Sequence, residues 1–246
     1  MFKKIKRIVN ELRVNQRKTL AAQEKNRYAQ EQLYASNKLL HLLPKPYFIP
    51  ETGWSMTPRA IVHCLNLIQI EKAKTVIELG SGATTLYIAQ TLKNLGGEFT
   101  FYSVESDLTW KNTIEAQLDA LGLSDSVTIF YCPLKDVSKE WAYKEQHLWY
   151  DTAILKSEIG DTLFDFVLVD GPFGGSTPYA RYSAYPFLKD NSHKDTLWFL
   201  DDTSRPMERE IIQTWQTESN LNLSLYKRYG ILSSASKFDA SPYAFE

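Results

Sequence analysis

Thr75-Val76-Ile77-Glu78-Leu79-Gly80-Ser81-Gly82-Ala83-Thr84-Thr85 is the stretch whose reading decides the fold. Thr75 to Leu79 reads as a short strand, and Thr84 to Leu95 as a helix stopped by Gly96-Gly97. A glycine-rich turn between such a strand and such a helix lets a ligand approach bare backbone.

Strand and helix go on alternating on either side of this turn. Upstream, Thr57 caps a helix with Pro58 in its first turn and Ile61, Leu65 and Ile68 on one face. Downstream, Phe99 to Val104 is a strand. Leu108 to Leu121 follows as a helix, with Trp110, Ile114, Leu118 and Leu121 on its buried side and Gly122 at its end. Val127 to Tyr131, Phe164 to Val169 and Thr196 to Leu200 are the third, fourth and fifth strands, and Met207 to Trp215 is a helix. Such alternation predicts a parallel sheet covered on both faces. Leu223 to Tyr229 and Ile231 to Lys237, joined at Gly230 with no helix between them, read as a hairpin. The expected class is therefore α/β: a Rossmann-like, doubly wound, seven-stranded sheet, mostly parallel, with an antiparallel C-terminal hairpin.

The chain has 246 residues, 43% of them hydrophobic, 13% aromatic and 23% charged, which excludes disorder and fibrous architecture. Lys plus Arg is 28 against 29 for Asp plus Glu, and a net charge of −1 argues against a surface built wholly for nucleic acid. Cys64 and Cys132 lie far apart and in no metal-ligand spacing, so a reducing, cytoplasmic compartment is expected. The sequence contains no run of about 18 apolar residues, and its start lacks the apolar region of a secretory signal.

The charge is unevenly spread. Residues 1–27 contain nine basic and two acidic residues, a balance of +7, so the other 219 residues carry −8. Phe2, Ile5, Ile8, Val9 and Leu12 recur at helical spacing, and nothing up to His41 breaks a helix. One or two amphipathic helices are expected there. They would either lie on an anionic membrane surface or dock a partner subunit, or else pack as a solvated helix on the main domain. Pro44, Pro46 and Pro50 mark the boundary between an extension, residues 1–49, and a catalytic domain, residues 50–246.

Ligands of open parallel sheets bind at the carboxyl ends of the strands, beside the first. Glu105 ends the second strand 25 residues after Gly80, where its carboxylate can accept both hydroxyl hydrogens of a ribose. A nucleoside-bearing cofactor is expected. NAD enzymes use G-x-G-x-x-G/A for pyrophosphate, but Thr85 takes the last position here and Glu78 would repel a phosphate. A carboxylate at position 78 suits the sulfonium and ammonium of S-adenosylmethionine, either directly or through water.

Glu78 to Gly82 resembles motif I of class I S-adenosylmethionine-dependent methyltransferases. Glu105 resembles their ribose-binding residue, and the terminal hairpin their last two strands. More narrowly, Gly53-Trp54-Ser55-Met56, Val169-Asp170-Gly171-Pro172, Ala180-Arg181-Tyr182 and Leu200 to Arg205 are similar to the O-methyltransferase-like branch. The third glycine of the usual G-x-G-x-G is replaced by Thr84. The resemblance implies that Glu78, Gly80, Ser81 and Gly82 hold the methionine part, Glu105 the ribose and Ser106 the adenine side. It implies further that Trp54 and Ser55 cover the cofactor and that Pro133 and Leu134 border the adenine. Trp54 reads equally well as a core aromatic.

Methyl transfer needs an aligned nucleophile and a base for its proton. Asp170 ends the fourth strand and Asp201-Asp202 the fifth, so these carboxylates can converge. Catechol-type enzymes bind magnesium with a similar set, an Asp and then an Asp-Asn pair; here the pair is Asp-Asp and Asp170 precedes Gly-Pro. A metal-free site with Asp170 or Asp202 as base is expected, with a magnesium ion on Asp170, Asp201 and Asp202 as the alternative. His193 and His147 are further candidate bases. Arg181 would pair with an acidic acceptor or with Asp202, and Arg205 with the same groups. Tyr179, Tyr182, Tyr185, Trp149 and Tyr150 would roof a pocket for a small molecule or glycan. An NAD(P)-dependent oxidoreductase, a nucleic-acid methyltransferase and a non-catalytic binding module are the competing readings; the second lacks an Asn/Asp-Pro-Pro-Tyr type motif at Asp170 to Phe173.

Overall fold

The computed structural model describes residues 2–45, 47–50, 52–234 and 238–245. Side-chain alternation along its strands divides the core into two layers. Val76, Phe166, Leu168, Phe199 and Ile231 point to one face, and Ile77, Leu79, Val167, Val169, Trp198, Leu200 and Leu232 to the other. Strands buried on both sides read as nearly continuous apolar runs, as Phe164 to Val169 does.

In chain order the elements are α1 (Phe2–Leu40), α2 (Pro58–Ile70), β1 (Thr75–Leu79), α3 (Ala83–Leu95), β2 (Thr100–Glu105), α4 (Leu108–Leu121), β3 (Thr128–Tyr131), β4 (Leu134–Asp136), β5 (Leu148–Tyr150), α5 (Thr152–Ile159), β6 (Phe164–Val169), α6 (Ala184–Leu188), β7 (Ser192–Leu200), α7 (Pro206–Ser219), β8 (Asn222–Leu225) and β9 (Gly230–Ser233). The large sheet has seven strands in the order β3-β2-β1-β6-β7-β9-β8; β9 runs antiparallel to both neighbours, and the other pairings are parallel. Helices α2, α3 and α4 cover the first face, and α5, α6 and α7 the second. The expected doubly wound, mostly parallel sheet with a terminal hairpin is the fold observed.

The chain leaves β1 in one direction, towards β2 and β3, and returns to its other side with β6 and β7. Their carboxyl ends are in register, with Leu79 opposite both Val104 and Val169, and Val169 opposite Leu200. At this switch point two loops touch backbone to backbone. Gly80 has φ +93°, and a Cβ there would lie 2.8 Å from Gly171 N; one on Gly171 would meet Tyr150 Oη at 2.4 Å. Glycine is required at both positions.

Several local expectations change. Of the one or two helices expected in the basic amino-terminal stretch the structure has one, α1, whereas α2 has Thr57 at its N-cap without a side-chain cap bond. Ile114, Leu118 and Leu121 are buried on α4 but Trp110 is not. α7 continues past Trp215 to Ser219, where Asn220 ends it in a left-handed conformation. β8 stops at Leu225, and Tyr226 to Tyr229 form a turn closed by Tyr226 N donating to Tyr229 O over 2.9 Å. The small β4–β5 hairpin, α5 and α6 escape a periodicity reading because their apolar runs are too short. Pro46 and the end of the expected last strand, residues 235–237, lie outside the described residues. Among the described residues no helix is long and apolar enough to cross a membrane.

The carboxyl-terminal part of α1 is held against α2. Ala35 and Leu39 are buried, Arg59 Nη1 lies 2.8 Å from Glu31 Oε2, and Arg59 N donates to Gln32 Oε1. From Phe2 to Arg27 every residue of α1 is exposed.

Candidate active site

The turn after β1 is built around a carboxylate beneath it. Glu78 is fully buried; one oxygen accepts the hydroxyl of Thr84, and the other those of Thr85 (2.5 Å) and Ser103 (2.8 Å). Burial raises its carboxyl to about 7 against the opposing pull of these donors. Glu78 therefore organises the turn from below and does not face a ligand, which corrects its direct role toward the cofactor. Thr84, the departure from the glycine pattern, supplies one of its hydrogen bonds.

The upper side of the turn faces Glu105 at the end of β2. Glu105 Oε2 accepts Ser81 N (3.2 Å) and Ser81 Oγ (2.9 Å), while Oε1 accepts the backbone amides of Ser106 and Asp107 at 2.7 and 2.8 Å. Gly82 N donates to Thr85 Oγ1 over 2.9 Å. The Ser81 and Gly82 amides of the turn, which a pyrophosphate would draw on, are thus engaged internally. What the turn offers instead is an acceptor-rich carboxylate beside a close backbone, a donor and acceptor set that fits the ribose and methionine parts of S-adenosylmethionine.

Glu105, Ser106, Gly80 and Ser81 line one wall of a cleft of about 230 Å³ whose other wall carries Asp170, Arg181 and Asp202. A smaller hollow of about 90 Å³ adjoins it, bounded by Ser55, Gly82 and Trp110 and sharing Trp54, Ser81 and Asp170. Trp54 is 67% exposed, so it is no core aromatic; its ring meets the 54% exposed Phe173 edge to face at 4.9 Å over the cleft. Trp110 Nε1 donates to Ser81 O. Neither Pro133 nor Leu134 is among the residues lining the cleft: Pro133 O accepts Asp151 N, and Leu134 pairs with Tyr150 in the small hairpin.

On the opposite wall the structure brings the three aspartates together, with one oxygen of each of Asp170, Asp201 and Asp202 within 4.8 Å of the others. Successive residues of a strand point to opposite faces, but Asp202 has φ +61°, and this left-handed step accompanies two consecutive carboxylates in one cluster. Three arginines face them. Arg181 Nη2 is 3.1 Å from Asp170 Oδ1 and 3.2 Å from Asp202 Oδ2. Arg228 Nη2 is 3.2 Å from Asp201 Oδ2 and 3.1 Å from Asp202 Oδ1, and Arg205 Nη1 is 3.0 Å from Asp202 Oδ2. Magnesium requires about six oxygen ligands at roughly 2.1 Å. Here Arg181 already bridges Asp170 and Asp202, and a divalent cation would meet guanidinium charge at the same oxygens. The residues present do not fit the magnesium alternative.

Burial, followed by the charges of the neighbouring aspartates, pushes the Asp170 carboxyl well above its ordinary range against the pull of Arg181. Burial likewise brings Asp201 up to about 6. Asp201 is sealed from solvent, whereas Asp170 borders the cleft and can exchange a proton with a molecule there.

Other expected site residues lie elsewhere. His193 stands at the amino end of β7, across the sheet from Asp201, with Nε2 3.0 Å from Asp165 Oδ1; it is too remote to serve as the base. Trp149 is completely buried against Tyr150 and Phe187, so it cannot roof a pocket. Tyr182 stacks on Tyr143 and donates to Glu218 Oε1 near the far end of α7, away from the cleft. His147 pairs with Thr177 Oγ1, and Tyr179 with Glu210, both outside the cleft. The sequence reading missed Arg228 and Phe173. Phe173 belongs to the quoted Asp170-to-Phe173 stretch and was readable as a pocket aromatic, whereas nothing local marks a lysine–arginine turn as the partner of a distant aspartate pair.

The arrangement of sheet and helices recurs in solved structures. This is the class I methyltransferase fold. An O-methyltransferase from Bacillus cereus, solved in complex with SAH, superposes with a TM-score of 0.54 at 12% identity, covering 74% of this chain and 84% of its own. TomG, an O-methyltransferase from Streptomyces achromogenes involved in tomaymycin synthesis and solved with SAM, gives 0.52 at 10% identity over 76% and 92%. A methyltransferase from Geobacter sulfurreducens gives 0.54 at 12% over 74% and 82%. No family model and no curated protein sequence matches the chain.

Proposed function

We propose that residues 50–246 form a cytoplasmic S-adenosylmethionine-dependent O-methyltransferase acting on a hydroxyl group of a small molecule or glycan. The observation that carries this reading is Glu105, held at the carboxyl end of β2 against the Gly80-Ser81-Gly82 turn at the switch point of a methyltransferase-type sheet. When bound, S-adenosylmethionine supplies a methyl group activated on a sulfonium.

The chain's own residues then have separable tasks. Glu105 exchanges its contacts with Ser81 for the ribose hydroxyls, and the turn presents backbone to the methionine part. Trp54 and Phe173 form an aromatic edge suited to a sugar or phenol ring and keep water from the reacting oxygen. Asp170, with its raised affinity for protons, accepts the hydroxyl proton as the oxygen attacks, and Arg181 holds the carboxylate in place. Arg205 and Arg228 fix Asp202, so the wall stays rigid.

Titration calorimetry with S-adenosylmethionine and with NAD tests the cofactor. Heat with the former and none with the latter is expected; the reverse would replace this reading with an oxidoreductase. Transfer of a labelled methyl group onto a panel of sugars, phenols and other hydroxyl compounds then identifies the acceptor, and labelling of nitrogen or carbon acceptors alone would overturn O-methylation.

A further inference from the structure

The exposed half of α1 plays no part in the cleft. Over Phe2 to Leu20 six of its seven large apolar residues gather along one side of the helix, with Val14 on the opposite side. At about 100° per residue, Phe2, Ile5, Val9, Leu12 and Leu20 fall within one stripe and Ile8 on its edge. Lys6, Arg13 and Arg17 border the stripe on one side and Lys4 on the other. None of it is covered, with Phe2 90% and Leu12 62% exposed. Among the described residues, the cations of this half make a single ion pair, Arg7 with Glu11 on the helix surface.

We propose that this face docks on a lipid bilayer bearing anionic headgroups, its apolar side chains at the acyl boundary and its lysines and arginines among the headgroup charges. Charge selects this occupant over others. A second copy of the helix brings the same +7 segment against itself in either orientation. A nucleic-acid backbone satisfies the cations but leaves Phe2, Ile5 and Leu12 in water. An anionic bilayer satisfies both. The helix lies in the interface along about 28 Å, taking 1.5 Å per residue from Phe2 to Leu20. It runs without a break into the segment fastened by Ala35, Leu39 and the Glu31–Arg59 pair, so the docked helix holds the domain at the membrane surface.

The inference is independent of the methyltransferase reading, and its test needs no turnover. The full chain is floated with vesicles of phosphatidylcholine alone or with one third phosphatidylglycerol, at about 0.1 M and about 1 M salt, where the screening length falls from about 10 Å to about 3 Å. Recovery with the anionic vesicles at low salt, and little with the neutral ones, is expected. The triple variant Lys6→Gln, Arg13→Gln, Arg17→Gln should bind roughly a hundredfold more weakly, since each cation contributes about a fivefold factor. Ile5→Asp with Leu12→Asp should abolish flotation, and both variants should melt as the parent does because these side chains touch nothing in the domain. The proposal is overturned if the parent stays in the aqueous fraction, if either variant floats as well as the parent, or if neutral vesicles serve equally. A dimer in sedimentation that Ile5→Asp with Leu12→Asp dissociates, without vesicle binding, would assign the face to a second copy. Retention by duplex DNA without vesicle binding would assign it to nucleic acid.

Discussion

Replacing Arg181 with Met removes the cation that joins the two cleft-facing aspartates while nearly preserving the side chain's length. The guanidinium is 5% exposed; it lies 3.1 Å from Asp170 and 3.2 Å from Asp202, and also donates to Asp201 O over 3.1 Å. Removing one partner of a buried ion pair costs about 3–5 kcal/mol, because the surviving charge is left in a poorly solvating site. For a chain of this size each kcal/mol moves the melting temperature by about 2–4 °C, so Arg181→Met should melt about 6–20 °C lower at about pH 8. Acid should shrink the deficit. Asp170 and Asp201 are raised by burial in the folded chain, Asp201 to about 6, and without Arg181 they rise further. Between the unfolded aspartate value of about 3.9 and the folded values, the native state binds more protons than the unfolded one, so stability falls as pH rises through that window. Melting curves of parent and variant at about pH 5.5 and about pH 8 decide the matter, with a clearly smaller gap expected at the lower pH. A gap under about 2 °C at the higher pH, or one that widens with acid, would show that the cluster does not depend on Arg181 for charge balance.

Four further outcomes are expected. Glu105→Gln should weaken S-adenosylmethionine binding in calorimetry by about 10- to 100-fold, the size of a charge-assisted hydrogen bond; unchanged affinity would remove Glu105 from the cofactor site. Thr84→Gly restores the usual glycine pattern yet should lower stability to urea by about 1–3 kcal/mol, since Glu78 loses a buried donor, while Thr84→Ser should keep most of it. Asp170→Asn should cut kcat about 10²- to 10⁴-fold with cofactor binding retained, and an undiminished kcat would exclude it as the base. A chelator should leave the transfer rate unchanged, because Arg181 already bridges Asp170 and Asp202; loss restored by magnesium would revive the metal site.

Periodicity and turn chemistry made most of the fold legible. β1 and β6 have the expected bounds, and α4 begins and ends where Asp107 and Gly122 allow it to. What failed was short or charge-driven. Three-residue strands such as Leu148–Tyr150 have too few alternations to register, so Trp149, which looks like a pocket aromatic, is a core residue of that hairpin, whereas its neighbour Tyr150 does line the cleft. His193 was misplaced for a different reason: β7 begins at Ser192, and a strand has two ends of which only one carries the cleft.

The sequence by itself determined the strand–turn–helix unit at Gly80, the alternation that sets a parallel sheet, and the arrival of Glu105 beside the turn, because these follow from spacing along a regular element. Only the tertiary structure decided what the acidic residues do there. Glu78 is sealed under the turn by three hydroxyls, one of them from Ser103 on the neighbouring strand. Asp201 and Asp202 share a cluster beside a left-handed step at Asp202, and their partners Arg181 and Arg228 reach them from loops that are remote in the chain. A buried charge takes whichever partner the fold brings within a few ångströms, and that choice leaves no period in the sequence.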